Sequence, residues 1–225
     1  MDYLKKTKDP RIHVYCSLKD GNTEFDKQFG LPNGYDSHTI ADAPSGSFVG
    51  LENTSNFNIN TILRLDAPTI FLMPSETKLL LAEAVLRNWT NGNAEVLYKE
   101  AITSSMKEQE IAYGTQGKIT DEEIETYLAQ NLFSTANNTE KLQIIGEQYW
   151  VATFINGYES YANWRRTGYP KLIPTNYSGS MSPGVIPTRL PYPTDEYSIN
   201  RANVDTANQQ QGADKVTTHI WWDID

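Results

Sequence analysis

Paired arginines beside aromatic residues are the first feature of this sequence that could do chemistry. The stretch YANWRRTGYP, residues 161–170, contains Arg165 and Arg166 directly after a tryptophan and shortly before a tyrosine and a proline. A planar guanidinium binds carboxylates and phosphates through two parallel hydrogen bonds, and it also stacks on aromatic rings. Such a cluster is typical of an anion site or of a nucleic-acid contact, and the rest of the chain must decide between these roles.

The overall charge argues against a nucleic-acid partner. The 225 residues carry a formal net charge of -9 at pH 7. A duplex-binding surface needs a basic patch that releases counterions from the phosphates, and binding to anionic lipid makes a similar demand. We therefore expect no nucleic acid as a partner. Uncharged ligands, and sugars above all, are the class that this composition leaves open.

Metal and cofactor motifs do not occur in the sequence. The three histidines, His13, His38 and His219, lie far apart, and no His-Glu-x-x-His pair is present. The aspartates of the N-terminal region make no EF-hand pattern, so the sequence does not indicate calcium. No phosphate-binding loop or dinucleotide fingerprint occurs either. The sequence therefore predicts no metal site and no cofactor, with a structural calcium ion in a loop as the alternative that it leaves open.

Carboxylates are the one set of residues that could support catalysis. Two of them could form the acid and base pair of a glycoside hydrolase. The glutamates concerned are Glu83, Glu100, Glu123, Glu147, Glu159 and Glu196. Sequence spacing does not place any two of them across a bond, and glutamates on helices are mostly solvated or ion-paired. We therefore predict no catalytic residues and no enzyme, with a glycoside hydrolase as the least favoured alternative.

Residues 1–68 are predicted to be irregular, with short strands. Alternating apolar residues at Ile12, Val14 and Cys16 favour a strand, in which the single cysteine is a packed thiol. The stretches FGLPNGYD and APSGSFVG have the composition of turns. The stretch from residue 21 to residue 60 has few periodic apolar positions, which predicts a long surface region of the kind that often carries function.

Residues 69–169 are predicted to be helical. PSETKLLLAEAVLR begins with Pro74 at a helix start and Ser75 as the expected N-cap, and it places Glu83 one turn before Arg87. The stretch NWTNGN ends this helix. AEVLYKEAITSSM then predicts a second helix, so that the two form an antiparallel hairpin.

The second helix of this hairpin has small and aromatic residues at the spacing typical of tetratricopeptide repeats. Ala94, Tyr98, Ala101 and Ser105 lie on one of its faces. Only one copy of the pattern occurs. A single helix pair cannot bury its own faces, so other parts of the protein must cover it.

Two further helices are predicted in this region. Residues 119–130 have Thr120 as the N-cap and Glu123 at the capping-box position. Residues 139–164 are predicted to form one longer helix, whose apolar residues surround more than one face and indicate burial between two layers. Residues 170–225 are predicted to be an irregular segment that packs on the helices, with a short helix after Thr194 and the aromatic tail HIWWDID.

Four stretches of the sequence occur in an order that is typical of one known family. They are LLLAEAVLRNWTNGNAEVLYKEAITSSM, EQYWVATFINGYESYANWRRTGYPKL, IPTRLPYPTDEYSIN and WWD. In these stretches the chain resembles the SusD-like (SusD/RagB) family of outer-membrane nutrient-binding lipoproteins, and the resemblance covers nearly the whole sequence. It implies a mainly α fold, a partial α-solenoid of tetratricopeptide-like helix pairs with irregular, loop-rich regions.

The resemblance also implies a function. Members of the family capture nutrients, most often glycans for polysaccharide utilisation, at the surface of Bacteroidetes-type bacteria. They are anchored by lipid to the cell outer membrane and deliver the ligand to a SusC-like TonB-dependent transporter without cleaving it. A helical scaffold that binds peptides or proteins is the alternative function.

The length of the chain departs from the family pattern. Family members are about twice as long, and the matching stretches belong to their C-terminal half. We therefore expect this chain to be a C-terminal portion, which lacks the N-terminal half with its export signal, its lipid-attachment cysteine and further helix pairs. Cys16 does not stand in a signal-peptide context. Apolar helix faces left uncovered would favour oligomerisation.

Within this resemblance the arginine pair is predicted to be structural. Trp164 is expected to pack against the long helix. Arg165 or Arg166 is expected to form a partly buried ion pair or to cap helix carbonyls, with Glu159 or Glu196 as the partner. Direct ligand contact is the alternative. The full set of predicted structural motif residues is Trp164, Arg165, Arg166, Gly168, Tyr169, Pro170, Arg189 and Glu196, of which the last two are expected to brace the core.

The resemblance places the ligand face on the irregular segment before the first helix of the hairpin. A neutral sugar is held by an aromatic ring against its C–H face and by polar side chains that bind its hydroxyls. The predicted ligand-binding residues are Tyr35, Phe48 and Phe57, with Asn33, Asn53 and Asn56 as polar neighbours. Ordinary loop packing is the alternative role for each of these residues.

Overall fold

The protein is mainly α-helical, as predicted. The computed structural model describes residues 1–36, 38–44, 46–133, 135–176 and 179–223. Their α-helices are α1 (Asp2–Thr7), α2 (Ile12–Tyr15), α3 (Pro74–Leu86), α4 (Ala94–Tyr113), α5 (Asp121–Gln130), α6 (Asn138–Ala152), α7 (Gly157–Thr167), α8 (Thr194–Ile199) and α9 (Arg201–Gln211). The strands are β1 (Cys16–Ser17) and β2 (Asn56–Phe57), which pair antiparallel. None of the helices in the described ranges has both the length and the apolar character needed to cross a membrane.

The helical hairpin predicted from the sequence forms from α3 and α4, which pack side by side. Asn93 caps α4, since its side-chain oxygen accepts hydrogen bonds from the first turn. Ala94, Tyr98 and Ala101 are buried on the predicted face, and the Tyr98 ring stacks on that of Phe133 with 4.5 Å between centroids. The helix that covers the hairpin is α6, which packs against both α3 and α4.

The start of α3 differs from the prediction, because Ser75 is not the N-cap. Met73 holds that position, and its backbone N–H donates to Oε1 of Glu76 at 2.8 Å. The Ser75 hydroxyl donates instead to Oε2 of Glu108 on α4 at 2.6 Å, and the Ser75 backbone N–H donates to the other oxygen of that carboxylate. A buried carboxylate accepts stronger hydrogen bonds than a hydroxyl does, so Ser75 joins the two helices of the hairpin.

The single long helix predicted for residues 139–164 is also wrong, because the chain forms α6 and α7 with a break between them. The Thr153 hydroxyl donates to a carbonyl in the last turn of α6 at 2.8 Å. Asn156 then caps α7 through a hydrogen bond from the backbone N–H of Glu159. Short polar side chains that bond to the nearby backbone compete with a continuing helix, and here they end one helix and begin the next.

The strand predicted through Ile12, Val14 and Cys16 is wrong over most of its length. Residues 12–15 form the short helix α2, and only the cysteine and the serine after it are extended. The turn is set by Asp9, whose carboxylate accepts from the backbone N–H of Arg11 at 3.0 Å. The three apolar residues are nevertheless buried, as their alternation indicated.

A buried ionic network fixes this N-terminal segment among the helices. Arg11 and Asp9 form an ion pair in which both side chains are fully buried. The Arg11 guanidinium also donates to Oγ of Ser105 on α4 at 2.9 Å and to Oε1 of Gln148 on α6 at 2.7 Å. Gln148 in turn donates to the Tyr127 hydroxyl on α5 at 2.6 Å. The network therefore connects the segment to three helices and satisfies a buried charge.

The C-terminal segment contains the predicted short helix, α8, and a second helix, α9, that the sequence did not indicate. Only Val204 of α9 is buried, so the helix shows no apolar periodicity that would predict it. The segment contacts α7, since the Tyr161 hydroxyl donates to the Pro187 carbonyl at 2.7 Å. Ser45, within the predicted turn APSGSFVG, and residues 224 and 225 of the aromatic tail lie outside the described residues.

Candidate ligand-binding surface

Phe57 presents a half-exposed aromatic ring on a rigid support. Its ring meets the Phe154 ring edge-on with 5.7 Å between centroids, and Phe154 stacks on buried Tyr15 at 4.5 Å. The Tyr15 hydroxyl donates to the Val151 carbonyl of α6. The Phe57 backbone is held by the pairing of β2 with β1. A ring fixed in this way can stack on the C–H face of a sugar at little cost in conformational entropy.

The residues around Phe57 divide into fixed and free polar groups. Asn58 is buried, and its amide donates to the His13 carbonyl at 2.8 Å, which holds the chain directly after the ring. Asn56 is exposed on the other side of Phe57, and the contact that its amide makes, to the Thr54 carbonyl, is long at 3.5 Å. An amide with so weak an internal bond can donate to a ligand hydroxyl. Phe57 and Asn56 are both exposed on β2, and their predicted role in one ligand site stays a prediction.

The remaining predicted ligand residues lie on a long loop that is tied together at its base. The Ser55 hydroxyl donates to the buried Gln28 side chain at 2.8 Å, and the backbone N–H of Phe29 donates to the same hydroxyl. Within the loop that these hydrogen bonds close, Tyr35 and Phe48 are half-buried. In the part of the chain that the structure describes, the ring partner of Phe57 is Phe154 rather than either of them. Gln28 and Ser55 were not singled out by sequence reasoning, because neither residue type marks a loop base.

The two asparagines of this loop have different surroundings. Asn53 belongs to the 3-10 helix Leu51–Asn53 and donates to the Val49 carbonyl at 2.9 Å. Asn33 is exposed beside Gly34, which has a φ of 86°. A Cβ on Gly34 would lie 2.6 Å from the Thr175 side chain, so this turn packs closely on the C-terminal segment. The assignment of all six residues to one ligand site stays a prediction.

Arg166 forms the predicted ion pair, but with a different partner. Its two terminal nitrogens donate to the two oxygens of Glu83 on α3 at 2.7 and 2.6 Å. Glu83 also accepts from Arg87 at 2.7 Å, which confirms the pair predicted within α3. The proposed partners Glu159 and Glu196 are therefore wrong. Glu159 accepts from Tyr149 and Glu196 from an asparagine one turn away.

The charge of Glu83 is stabilised by this arrangement. Its side chain is only 3% exposed. Burial alone raises the pKa of the Glu83 carboxyl, but the hydrogen bonds and charges of Arg166 and Arg87 outweigh burial and bring that pKa below its usual range. A single buried carboxylate shared by two guanidinium groups thus joins α7 to α3.

The rest of the NWRRTGYP motif closes α7. Gly168 is the helix C-cap with a φ of 68°, the left-handed conformation that glycine adopts at little cost. Tyr169 packs against Gly146 of α6, where a Cβ would lie 2.6 Å from that of the tyrosine. The Tyr169–Pro170 peptide bond is cis, and Pro170 is buried. The ring of Trp164 stacks on Tyr161 of the same helix, and its predicted packing on the preceding helix stays a prediction.

Arg189 forms an ion pair within the C-terminal segment, and its predicted bracing of the core stays a prediction. Arg189 pairs with Asp214 at 2.9 Å, and both side chains are less than a tenth exposed. The Asp214 carboxylate also accepts from the Tyr197 hydroxyl at 2.6 Å. Glu196 is only half-buried, and its carboxylate accepts from Asn200 within the same short helix. The predicted role of Glu196 in the core is therefore wrong.

Among the described residues, three open clefts with aromatic side chains lie outside the predicted ligand residues. One of about 570 Å³ lies between α5 and the N-terminal segment, beside Phe25 and His13. A second, of about 600 Å³, is apolar and includes the exposed rings of Phe71 and Tyr158. The third, of about 420 Å³, lies at the end of α7 beside Trp222. Aromatic residues in the sequence could have indicated the second cleft, and the arginine pair beside Trp164 could have indicated the third.

Buried carboxylates meet at one further place. Glu76 and Glu108 line a cavity of about 20 Å³, which has room for a single water molecule. Burial is the main cause that raises the pKa of Glu76, and Glu108 and Glu159 add to it as like charges. A cavity of this size does not admit a sugar. Within the described ranges, no three His, Cys, Asp or Glu side chains converge as metal ligands.

The described residues form a mainly helical body with a long loop that carries aromatic side chains. Comparison with known families gives this class of protein a name. The chain belongs to the SusD-like family, since the model of the SusD and RagB outer membrane lipoproteins matches residues 1–223. The resemblance carried by the sequence motifs is thereby confirmed.

Solved structures agree with this family. A chitin-binding protein is 30% identical and superposes with a TM-score of 0.77 over 100% of this chain and 49% of its own. A chitin-binding SusD homologue from Flavobacterium johnsoniae is 27% identical, with a TM-score of 0.73 over 99% and 48%. A SusD homologue from Bacteroides fragilis is 26% identical, with a TM-score of 0.80 over 99% and 50%. The chain thus spans about half the length of these structures. No curated protein matches it.

Proposed function

We propose that this protein captures a glycan nutrient at the bacterial surface and delivers it, uncleaved, to a SusC-like TonB-dependent transporter. The family match over residues 1–223 carries the proposal, because it covers almost the whole chain. Two of the similar solved structures are named chitin-binding, which favours a glycan over other nutrients. Lipid anchoring at the exposed face of the outer membrane is part of the same proposal.

Phe57 is the residue to which we assign the central contact. Its ring is half exposed and is held by Phe154 and Tyr15, so it offers a fixed apolar platform. Asn56 supplies a hydrogen bond to a sugar hydroxyl. Tyr35 and Phe48, with Asn33 and Asn53 beside them, extend the surface along the loop that Gln28 and Ser55 close.

We propose a non-catalytic role because five of the six glutamates that could act in hydrolysis have structural partners, and the sixth, Glu100, is exposed on α4. Glu83 is shared by two arginines, and Glu123 closes the capping box of α5. Glu147 accepts from Gln143 at 2.7 Å. Glu159 accepts from Tyr149. A retaining or inverting glycosidase needs two carboxylates on opposite sides of an open cleft, and these residues are used elsewhere.

Peptide binding is the second candidate function. The apolar cleft beside Phe71 and Tyr158 favours it, because a cleft of about 600 Å³ with exposed rings could hold apolar side chains of an extended peptide. This function does not use Phe57. The two candidates therefore predict different consequences for substitutions at the two aromatic surfaces.

Affinity electrophoresis with a panel of soluble glycans, including glycol chitin, tests the first function. We expect at least one glycan to retard the protein. Phe57→Ala should weaken the affinity for that glycan about fivefold, since one stacked ring contributes on the order of 1 kcal/mol. Phe71→Ala is the matched control, because it removes another exposed ring, and it should leave the retardation unchanged.

The opposite pattern would change the assignment. Retardation that Phe71→Ala abolishes and Phe57→Ala preserves would move the site to the apolar cleft. If no glycan retards the protein and an apolar peptide library does bind, peptide capture replaces glycan capture. Co-purification of the full-length protein with a TonB-dependent transporter tests the delivery step separately.

A further inference from the structure

The cleft at the C-terminal end of α7, here called the arginine cleft, differs in charge from the rest of the molecule. Trp164, Arg165, Lys171 and Trp222 line it, within a volume of about 420 Å³. The guanidinium carbon of Arg165 lies 4.6 Å from the centre of the Tyr161 ring and 5.1 Å from that of Trp222. The contacts with the Tyr161 and Trp222 rings orient this guanidinium without neutralising its charge.

Two cations of the arginine cleft have no carboxylate partner in the described ranges. Arg165 donates from Nη1 to the Thr188 carbonyl at 3.0 Å, and its buried Nε makes no hydrogen bond. Lys171 is exposed, with its ammonium 4.7 Å from the centre of the Tyr169 ring. Neither residue forms an ion pair in the described ranges. The one carboxylate that lines the cleft there is that of Asp223, which contacts His219 of the same lining at 3.0 Å. The exposed ammonium of Lys171 is available to an anion, and the guanidinium of Arg165 adds its positive charge to the same cleft.

The wall of the cleft adds further positive charge. Arg166 also lines the cleft, although Glu83 balances its charge. The lining thus has three cationic side chains, those of Arg165, Arg166 and Lys171, and the carboxylate of Asp223. This local excess of positive charge occurs in a chain whose formal net charge is -9. A concentration of cations against the overall charge of a protein raises the local concentration of anionic ligands, and the surrounding surface repels them.

We propose that the arginine cleft is a subsite for an anionic group of the captured glycan, either the carboxylate of a uronic acid or a sulfate ester. Arg165 and Lys171 bind the anion, and Trp222, whose ring is 37% exposed, packs against the sugar that carries it. This inference rests on the proposed function and specifies its substrate class as an acidic glycan.

Binding assays at physiological salt with three polymers test the subsite. Polygalacturonate carries carboxylates, dextran sulfate carries sulfates, and hydroxyethyl cellulose is neutral. Lys171→Glu reverses an exposed charge in the cleft, and we expect it to weaken binding of the preferred anionic polymer at least about tenfold, as for the loss of one charge-assisted contact. Lys19→Glu makes the same change at another exposed lysine and should leave binding unchanged.

The polymers separate the two sources of negative charge. If Lys171→Glu weakens binding of polygalacturonate alone, the subsite binds carboxylates. If it weakens binding of dextran sulfate alone, the subsite binds sulfate esters. Arg165→Gln should reproduce the loss, and thermal unfolding of each variant shows whether the fold persists.

Two results would overturn the inference. If Lys171→Glu and Lys19→Glu weaken binding of the anionic polymer equally, the polymer is attracted by the overall charge and not by the cleft. If only the neutral polymer binds, the protein captures glycans but has no acidic subsite. If neither these polymers nor the glycan panel binds, the proposed function itself fails and the subsite with it.

Discussion

At the scale of single residues, Glu83 determines what the arginine motif does. It lies on α3, is almost fully buried, and accepts hydrogen bonds from Arg87 in its own helix and from Arg166 at the end of α7. The two guanidinium partners compensate the charge of the buried carboxylate. Removal of the carboxylate or of the arginines would leave a buried or half-buried charge without a partner. Arg166 therefore has a structural role, while its neighbour Arg165 lines the arginine cleft without a carboxylate partner.

Glu83→Gln should lower the free energy of unfolding at neutral pH by about 2 kcal/mol. This value lies between those typical of exposed and of buried ion pairs, because both arginines are about one-third exposed. The pKa of Glu83 is lowered in the folded state. Its stabilisation is therefore present above the ordinary glutamate pKa of about 4.3 and is lost as the pH falls through the folded-state value.

Urea denaturation at neutral pH and below about pH 4 measures this effect. The difference between wild type and Glu83→Gln should narrow at the lower pH. Glu100→Gln, an exposed control on α4, should change the unfolding free energy by less than about 0.5 kcal/mol. A difference that is the same at both pH values would show that the ion pairs do not stabilise the fold.

Cys16 should be unreactive in the native protein. Burial raises the pKa of its thiol to about 11, so the reactive thiolate is scarce at mildly alkaline pH. We expect a thiol-specific disulfide reagent to modify one thiol per chain only after denaturant is added. Reaction of the native protein as fast as that of free cysteine would contradict the packing of β1 against the core.

At the scale of elements, close contacts between helices and loops decide how α6, α7 and the segment after them fit together. Gly146 allows Tyr169 to reach the surface of α6, and Gly168 ends α7 in a left-handed conformation. Asn156 caps α7 and separates it from α6. A glycine in mid-helix costs stability by propensity alone, so its presence at position 146 indicates that the close approach of Tyr169 outweighs that cost.

Gly146→Ala should destabilise the protein by about 1–3 kcal/mol despite the better helix propensity of alanine, because its Cβ would lie 2.6 Å from the Cβ of Tyr169. Gly157→Ala is the matched control. No atom lies within 4 Å of a Cβ at that position, so the change should be neutral or slightly stabilising. Thermal unfolding of the two variants checks this, and an equal response would show that Gly146 has no packing role.

At the scale of the whole molecule, one face of the chain exposes several large apolar side chains. Phe71 is 80% exposed, Leu72 68% and Tyr158 89%, and the first and last of these border one cleft of about 600 Å³. Contiguous apolar patches of this kind drive association in water. The buried network of Arg11 holds the interior together, but it does not cover this face.

The isolated chain should therefore self-associate in a concentration-dependent way. Sedimentation velocity of the wild type should show species larger than the monomer, and the double substitution Phe71→Ser with Tyr158→Ser should shift the distribution to the monomer. Leu190→Ser, which removes another exposed apolar side chain outside the cleft, is the control and should not do so. A wild type that stays monomeric at all concentrations would refute the prediction.

The sequence by itself determined the features that depend on neighbours a few residues apart. The hairpin of α3 and α4 follows from apolar spacing, the start of α5 from Thr120 and Glu123, the pair of Glu83 with Arg87 from one helical turn, and the family from the order of its motifs. Only the tertiary structure decided the features that depend on distant partners. The carboxylate that binds Arg166 is 83 positions away in the sequence. Ser75 bonds to Glu108 rather than capping its own helix. Phe57 acquires its support from Phe154, beyond both helices of the hairpin. Local propensity acts within a turn or two, whereas ion pairs and ring contacts form between whichever residues the packed helices bring within reach.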